Sequence, residues 1–123
     1  MSDDGYAEVD GLRAFARTFP EAWEDTPWDA TPVAKVRKKI FVFFGIGERP
    51  SVSVKLPESA EQALQAPGAM PTGHGLGRSG WVTVPISGPD APSRGVVEDW
   101  IEESYRTVAP KTLARSLDAA RGV

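Results

Sequence analysis

The chain has 123 residues, of which 41% are hydrophobic and 25% charged, and its formal net charge is −3. These values are typical of one globular domain and argue against a wholly disordered chain. The sequence has no cysteine and one histidine, which excludes disulfides, thiolate nucleophiles, cysteine-ligated metals and a multi-histidine metal site within one chain.

The N-terminal sequence and the apolar runs predict a soluble cytoplasmic protein that has no membrane partner. Residues 1–5 are acidic and no long apolar stretch follows them, unlike a secretory signal. The longest apolar run, residues 40–44, is far shorter than the ~20 residues that span a bilayer. A monomer is favoured.

The charge is distributed unevenly along the chain. Residues 1–32 carry eight acidic and two basic side chains, whereas residues 33–56 carry six basic and one acidic. The positive charge is therefore concentrated in one short stretch, although the net charge argues mildly against a general polyanion binder.

The first predicted element is a helix. Leu12, Phe15, Ala16 and Phe19 recur at helical spacing. Asp10 is the expected N-cap, and Pro20 ends the helix because proline disfavours the helical conformation of the residue before it. We therefore place an acidic tail at residues 1–9 and a single domain at residues 10–121.

Strands are predicted in the middle of the chain. After a short strand near residues 23–25, residues 33–37 and 40–44 read as a hairpin whose turn is Lys38-Lys39. Residues 51–56 alternate polar and apolar side chains. Residues 81–86 form another predicted strand, with Val82, Val84 and Ile86 on one face.

Helices follow these strands. Ser59 and Gln62 match a capping box that opens a short helix ending near Ala66. Ser93 caps a longer helix, and Pro110 begins a final one. The order predicts an α+β domain, a single antiparallel sheet covered by helices. The expected core contains Val52, Val54, Leu56, Phe15, Phe19, Trp100, Ile101 and Tyr105.

The sequence contains no motif for catalysis or for a cofactor in its required context. Residues 75–80 match G-x-G-x-x-G, but a strand follows them where a dinucleotide site needs a helix. His74 lies in the same loop, with no orienting carboxylate nearby in sequence. Glu98, Asp99 and their neighbours Glu102 and Glu103 lie opposite the apolar stripe of their helix, which is typical of a solvated face. We therefore expect no enzyme, no cofactor and no metal.

Two surfaces are candidates for binding. The basic side chains Lys35, Arg37, Lys38 and Lys39 cluster on the hairpin, and Lys55 and Arg78 are able to join them. Basic side chains on a β-ribbon neutralise phosphates, but lysines also keep a charged hairpin soluble and protect an edge strand. Trp81 points away from Val82 and Val84, so Trp81 and His74 are the possible ligand-facing residues.

Several segments together resemble the MmcQ/YjbR family. Residues 33–41 resemble its V-x-G-K-x-F hairpin, and residues 51–55 its next strand. Residues 80–84 resemble its tryptophan strand, and residues 103–106 its S-Y helix. The resemblance covers roughly residues 10–120, with Lys38 standing where the family often has glycine.

This resemblance implies a CyaY-like α+β fold, similar to frataxin, with a double-wing arrangement proposed for DNA binding. The first hypothesis is therefore a non-enzymatic DNA-binding protein that contacts phosphates. The second is a module that binds a protein or small ligand on the sheet face around Trp81. The third, by analogy with frataxin, is a weak metal binder that uses acidic helix residues.

Overall fold

A computed structural model of the protein describes residues 4–26, 31–45, 49–73 and 75–120. The helices in these residues are α1 (Asp4–Ala16), α2 (Ala60–Leu64), α3 (Arg94–Val108) and α4 (Lys111–Ala120), with a 3₁₀ helix at Leu76–Ser79. The strands are β1 (Ala22–Asp25), β2 (Val33–Val36), β3 (Lys39–Gly45), β4 (Ser51–Lys55), β5 (Met70–Pro71) and β6 (Trp81–Pro85).

The described strands form one antiparallel sheet in the order β1-β2-β3-β4-β6-β5. Helix α3 packs on β3 and β4, and α1 packs on α3 and β1. The α+β class and the single antiparallel sheet are therefore confirmed. Among the described residues, no helix has the length and apolar character needed to cross a membrane.

The core lies between the sheet and the helices. Phe19 and Phe41 pack around the ring of Tyr105, with centroid distances to that ring of 4.7 and 5.3 Å. Seven of the eight predicted core positions are buried, and the exception is Phe15, which is half-buried against Phe19. Burial of such side chains stabilises each by about 1.5–3 kcal/mol relative to exposure.

Helix α1 begins earlier than the sequence predicts. Asp10 lies inside the helix rather than at its N-cap, and its carboxylate accepts a hydrogen bond from Arg13 at 3.4 Å. Val9 is buried, so the predicted start of the domain at residue 10 falls within a helix that already packs on the core. Residues 1–3 of the predicted tail and residue 121 at the predicted domain end lie outside the described residues.

The β2–β3 turn lies one residue before its predicted position. Val36 pairs with Lys39, so the turn is Arg37-Lys38, and Arg37 has φ 57°. The indole N–H of Trp23 donates to the Arg37 carbonyl oxygen at 2.8 Å, and the Arg37 guanidinium pairs with Glu21 at 3.1 Å. These contacts from β1 and the preceding turn hold the left-handed conformation that a β-hairpin requires here.

The prediction of a capping box at Ser59 is also wrong. Its hydroxyl makes no cap hydrogen bond and instead donates to Glu103 Oε1 on α3 at 2.6 Å. A capping hydroxyl would accept from a backbone N–H of the first turn, whereas Ser59 donates to a carboxylate, and such a charge-assisted hydrogen bond is the stronger of the two. In contrast, the cap at Ser93 is confirmed, since its Oγ accepts from the Val96 N–H at 3.3 Å.

Candidate nucleic-acid interface

One end of the sheet is built around a register shift in the hairpin. The pairing of β2 with β3 shifts between Ala34 and Lys35, so Phe41 has no residue of β2 directly opposite it. The Phe41 carbonyl instead accepts a hydrogen bond from Ser104 Oγ at 2.5 Å, and Ser104 Oγ accepts from the Lys55 N–H at 2.9 Å. One buried hydroxyl of α3 thereby joins β3 and β4 where their pairing ends.

Basic side chains gather at this end, which we call the basic end: Arg37, Lys38, Lys39, Lys55, Arg78 and Lys111. The β2–β3 turn lies there, and Lys55 closes β4 opposite Trp81, the first residue of β6. Arg78 is in the 3₁₀ helix that leads into β6. The structure therefore brings five of the six predicted basic residues to one end of the sheet.

The sixth predicted residue, Lys35, is engaged elsewhere. Its ammonium pairs with Asp25 at 2.7 Å and lies 5.1 Å from the centre of the Trp23 ring. The hydrogen bond from Lys35 lowers the pKa of Asp25 below its usual value. The charge of Lys35 is thus balanced by Asp25, and the residue lies on the sheet face, two residues before the turn.

The cations of the basic end differ in their availability. Arg37 shares its charge with Glu21, and their hydrogen bond lowers the pKa of that carboxyl. Lys38, Lys39 and Arg78 are exposed, and within the described part of the chain no ion pair engages them or Lys55. Such unpaired, hydrated cations are suited to exchange for counterions on a polyanion.

Lys111 belongs to the basic end although sequence reasoning missed it. It is the first residue of α4 and lines a cleft together with Arg37, Lys38 and Lys39. The cleft lies between the β2–β3 turn and the junction of α3 with α4. Nothing in the sequence around Lys111 indicates that it lies near a hairpin more than 70 residues earlier in the chain.

Trp81 is buried, which contradicts the prediction that it faces a ligand. It lies on the sheet face opposite Val82, as expected, but its side chain is only 7% exposed. The ring packs edge-on against Phe43, with 5.4 Å between centroids. Next to it, the hydroxyls of Ser53 and Thr83 bond at 2.7 Å. This face therefore offers no open aromatic platform at Trp81, and His74 lies outside the described residues.

The glycine-rich stretch forms a turn. Its 3₁₀ helix ends at Gly80, whose φ of 89° disfavours other residues, and β6 follows directly. A Cβ on Gly77 would lie 2.7 Å from the Pro71 Cβ, so close packing against β5 also requires glycine. These glycines serve backbone geometry, and no helix follows to hold a pyrophosphate.

Three of the four acidic residues of α3 are engaged in structural contacts, and the fourth, Asp99, is exposed. Glu98 pairs with Arg94 at 3.0 Å and Glu102 with Arg106 at 2.9 Å. Glu103 accepts hydrogen bonds from the Ser59 N–H and hydroxyl. No group of three or more acidic or histidine side chains within the described ranges is placed to hold a metal ion.

Comparison with known proteins identifies one family. A family model described as YjbR matches residues 17–107, which is about three quarters of the chain. No curated protein matches the chain at a significant level. The matched range includes the β2–β3 turn, β4, β6 and α3, and so most of the basic end.

Proposed function

This chain belongs to the YjbR family, and we propose that it is a non-enzymatic protein that binds DNA weakly through phosphate contacts at the basic end. The observation that carries this proposal is that cations with no ion pair among the described residues lie at one end of the sheet on separate elements, the turn (Lys38), β4 (Lys55) and the 3₁₀ helix (Arg78). The cytoplasmic location and the monomeric state stay predictions.

The expected mode of binding is electrostatic. The cations extend from a turn, from strand ends, from a 3₁₀ helix and from the first residue of α4. Cations that neutralise phosphates release counterions, so the logarithm of the affinity falls with the logarithm of salt concentration by about 0.9 per phosphate. Three or four contacts predict a slope of roughly −3 to −4 and a Kd of about 10⁻⁴–10⁻⁶ M at physiological salt.

The alternative of a module that binds through the sheet face around Trp81 has less support. Trp81 and Val33 on that face are buried, and Lys35 there is paired with Asp25. The exposed large apolar side chains that the structure describes on this face, Trp23 and Met70, lie on the two edge strands of the sheet and not at Trp81.

The test is a fluorescence-anisotropy titration of a short labelled duplex at about 20 and about 150 mM salt, chosen because phosphate contacts depend steeply on salt. We expect Lys38→Glu/Lys39→Glu to weaken binding at least about tenfold, because the changes remove two phosphate contacts and add repulsion. Both side chains are exposed, so the free energy of unfolding of the variant, measured by urea denaturation, should lie within about 0.5 kcal/mol of the wild-type value.

The matched control is a single charge reversal at either end of the sheet. Lys38→Glu lies at the β2–β3 turn, whereas Arg49→Glu lies at the opposite end, next to the start of β4. We expect the first to weaken binding several times more than the second. Equal effects, or binding that ignores salt, would contradict the proposal, as would no binding at low salt.

A further inference from the structure

We propose that the cleft between the β2–β3 turn and the α3–α4 junction binds a small organic anion with an apolar body. This inference goes beyond DNA binding and does not depend on it. The cleft has a volume of about 590 Å³, which is within the range of roughly 300–1,000 Å³ typical of small-molecule sites.

The inner wall of the cleft is apolar. The buried residues Val36 and Ala109 are among its lining residues, together with the half-buried Val108 and Pro110. The wall is part of the folded frame, because Val36 belongs to β2 and the Ala109 N–H donates to the Tyr105 carbonyl at 2.8 Å. A pre-formed apolar wall favours a ligand with an apolar body, since it gains from leaving water.

The rim of the cleft is positively charged. Lys38 and Lys39 approach from the hairpin, Lys111 approaches from α4, and no carboxylate is among the described lining residues. Of the lining cations, Arg37 pairs with a carboxylate outside the lining, that of Glu21, at 3.1 Å. Helix α3 ends and helix α4 begins at the cleft, so the negative end of one helix dipole and the positive end of the other offset each other. The positive charge of the rim therefore comes from its basic side chains.

The combination of wall and rim selects the chemical class. An apolar wall alone would accept a neutral molecule, and lysines alone would attract any anion without holding it. A molecule with an acidic group and an apolar body uses both, because its charge meets the rim while its body covers Val36, Val108 and Pro110. The ligand class is therefore an amphipathic organic anion.

The test uses three matched probes in a ¹H–¹⁵N NMR titration without DNA. The first probe, 1-naphthaleneacetate, has both features, 1-naphthaleneethanol lacks the charge, and acetate lacks the apolar body. We expect 1-naphthaleneacetate to shift the amides of residues 36–39 and 107–111. We expect the other two probes to bind at least about fivefold more weakly, since each loses one of two contributions.

Charge reversal on α4 tests the rim. Lys111→Glu should weaken binding of 1-naphthaleneacetate at least about fivefold, because it places a like charge on the rim. Arg49→Glu makes the same change in net charge on an exposed residue near the start of β4, at the opposite end of the sheet and outside the cleft. It should change the affinity less than twofold.

Filling the cleft tests the wall. Thr107 lines the cleft and is exposed, so Thr107→Trp places a ring there with little effect on the core. The variant should keep a dispersed NMR spectrum and lose binding. The proposal is overturned by shifts centred elsewhere, by equal affinity for the alcohol, or by variants that bind like the wild type. Because DNA is absent, failure of DNA binding leaves these results unaffected.

Discussion

The residues that resemble the S-Y helix of the family act as structural anchors in this protein. Ser104 bonds to β3 and β4, and the Tyr105 hydroxyl donates to the Pro20 carbonyl at 2.8 Å. Arg106 pairs with Glu102 and with Asp118 of α4. These side chains fix α3 to the sheet, to the turn between α1 and β1, and to α4, so each of them has a structural role.

Ser104→Ala is the first prediction. The variant leaves the Phe41 carbonyl and the Lys55 N–H without their partner at a fully buried position, so we expect the free energy of unfolding to fall by about 1–3 kcal/mol. Urea denaturation measures it. The control is Ser116→Ala, an exposed serine on α4 whose hydroxyl donates only to the Thr112 carbonyl, with an expected change below about 0.5 kcal/mol. Equal losses would contradict the bridging role.

At the scale of elements, the alternation of the strands and the helical stripes predicted most of the sheet and the helices. Residues 51–56 alternate because β4 is central and only one face meets the helices, so its sequence carries the full signal. The strand β5 was missed because its two residues, Met70 and Pro71, are exposed and have no pattern. The turn was misplaced because its register depends on Trp23 and Glu21, which are distant in sequence.

The sequence predicted most of the basic residues that belong to the candidate site, but it did not predict how they are arranged in space. The sequence showed that cations are concentrated in residues 33–56, since charge is a property of residue type. Whether Lys35 is free and whether Lys111 joins the hairpin depend on tertiary pairing with Asp25 and on where α4 begins. The burial of Trp81 likewise depends on Phe43 from a strand that is not its neighbour in sequence.

The observed turn gives the second prediction. Arg37 has φ 57°, a conformation that glycine adopts without cost, whereas Lys38 does not have a positive φ. In a Glu21→Gln background, which removes the ion pair from both arms, we expect Arg37→Gly to be more stable than Lys38→Gly by about 1 kcal/mol. Urea denaturation of the two variants decides it. Higher stability of Lys38→Gly would instead place the turn at Lys38-Lys39.

At the scale of the whole molecule, two exposed acids, Asp90 and Asp99, lie away from the basic end. The basic end lies where β6 begins and α3 ends, and exposed Asp90 lies beyond the other end of β6. Helix α3 has 15 residues, so its two ends are roughly 22 Å apart. Under the proposed function, a protein with net charge −3 would present the basic end to DNA while its remaining charge repels DNA from a distance.

This separation gives the third prediction, which concerns DNA affinity at different salt concentrations. Asp90→Asn/Asp99→Asn removes two exposed acids that lie away from the basic end. Coulomb repulsion over about 20 Å in water is only a few tenths of a kcal/mol per pair of charges, so we expect a gain in affinity of about twofold at ~10 mM salt. At ~150 mM salt the Debye length is about 8 Å, and the gain should vanish. Anisotropy titrations at both salt concentrations measure it, with Asp90→Glu/Asp99→Glu as the control that keeps the charge. An equal gain at both concentrations would show that these acids act through local contact with DNA, because screening removes only the long-range term.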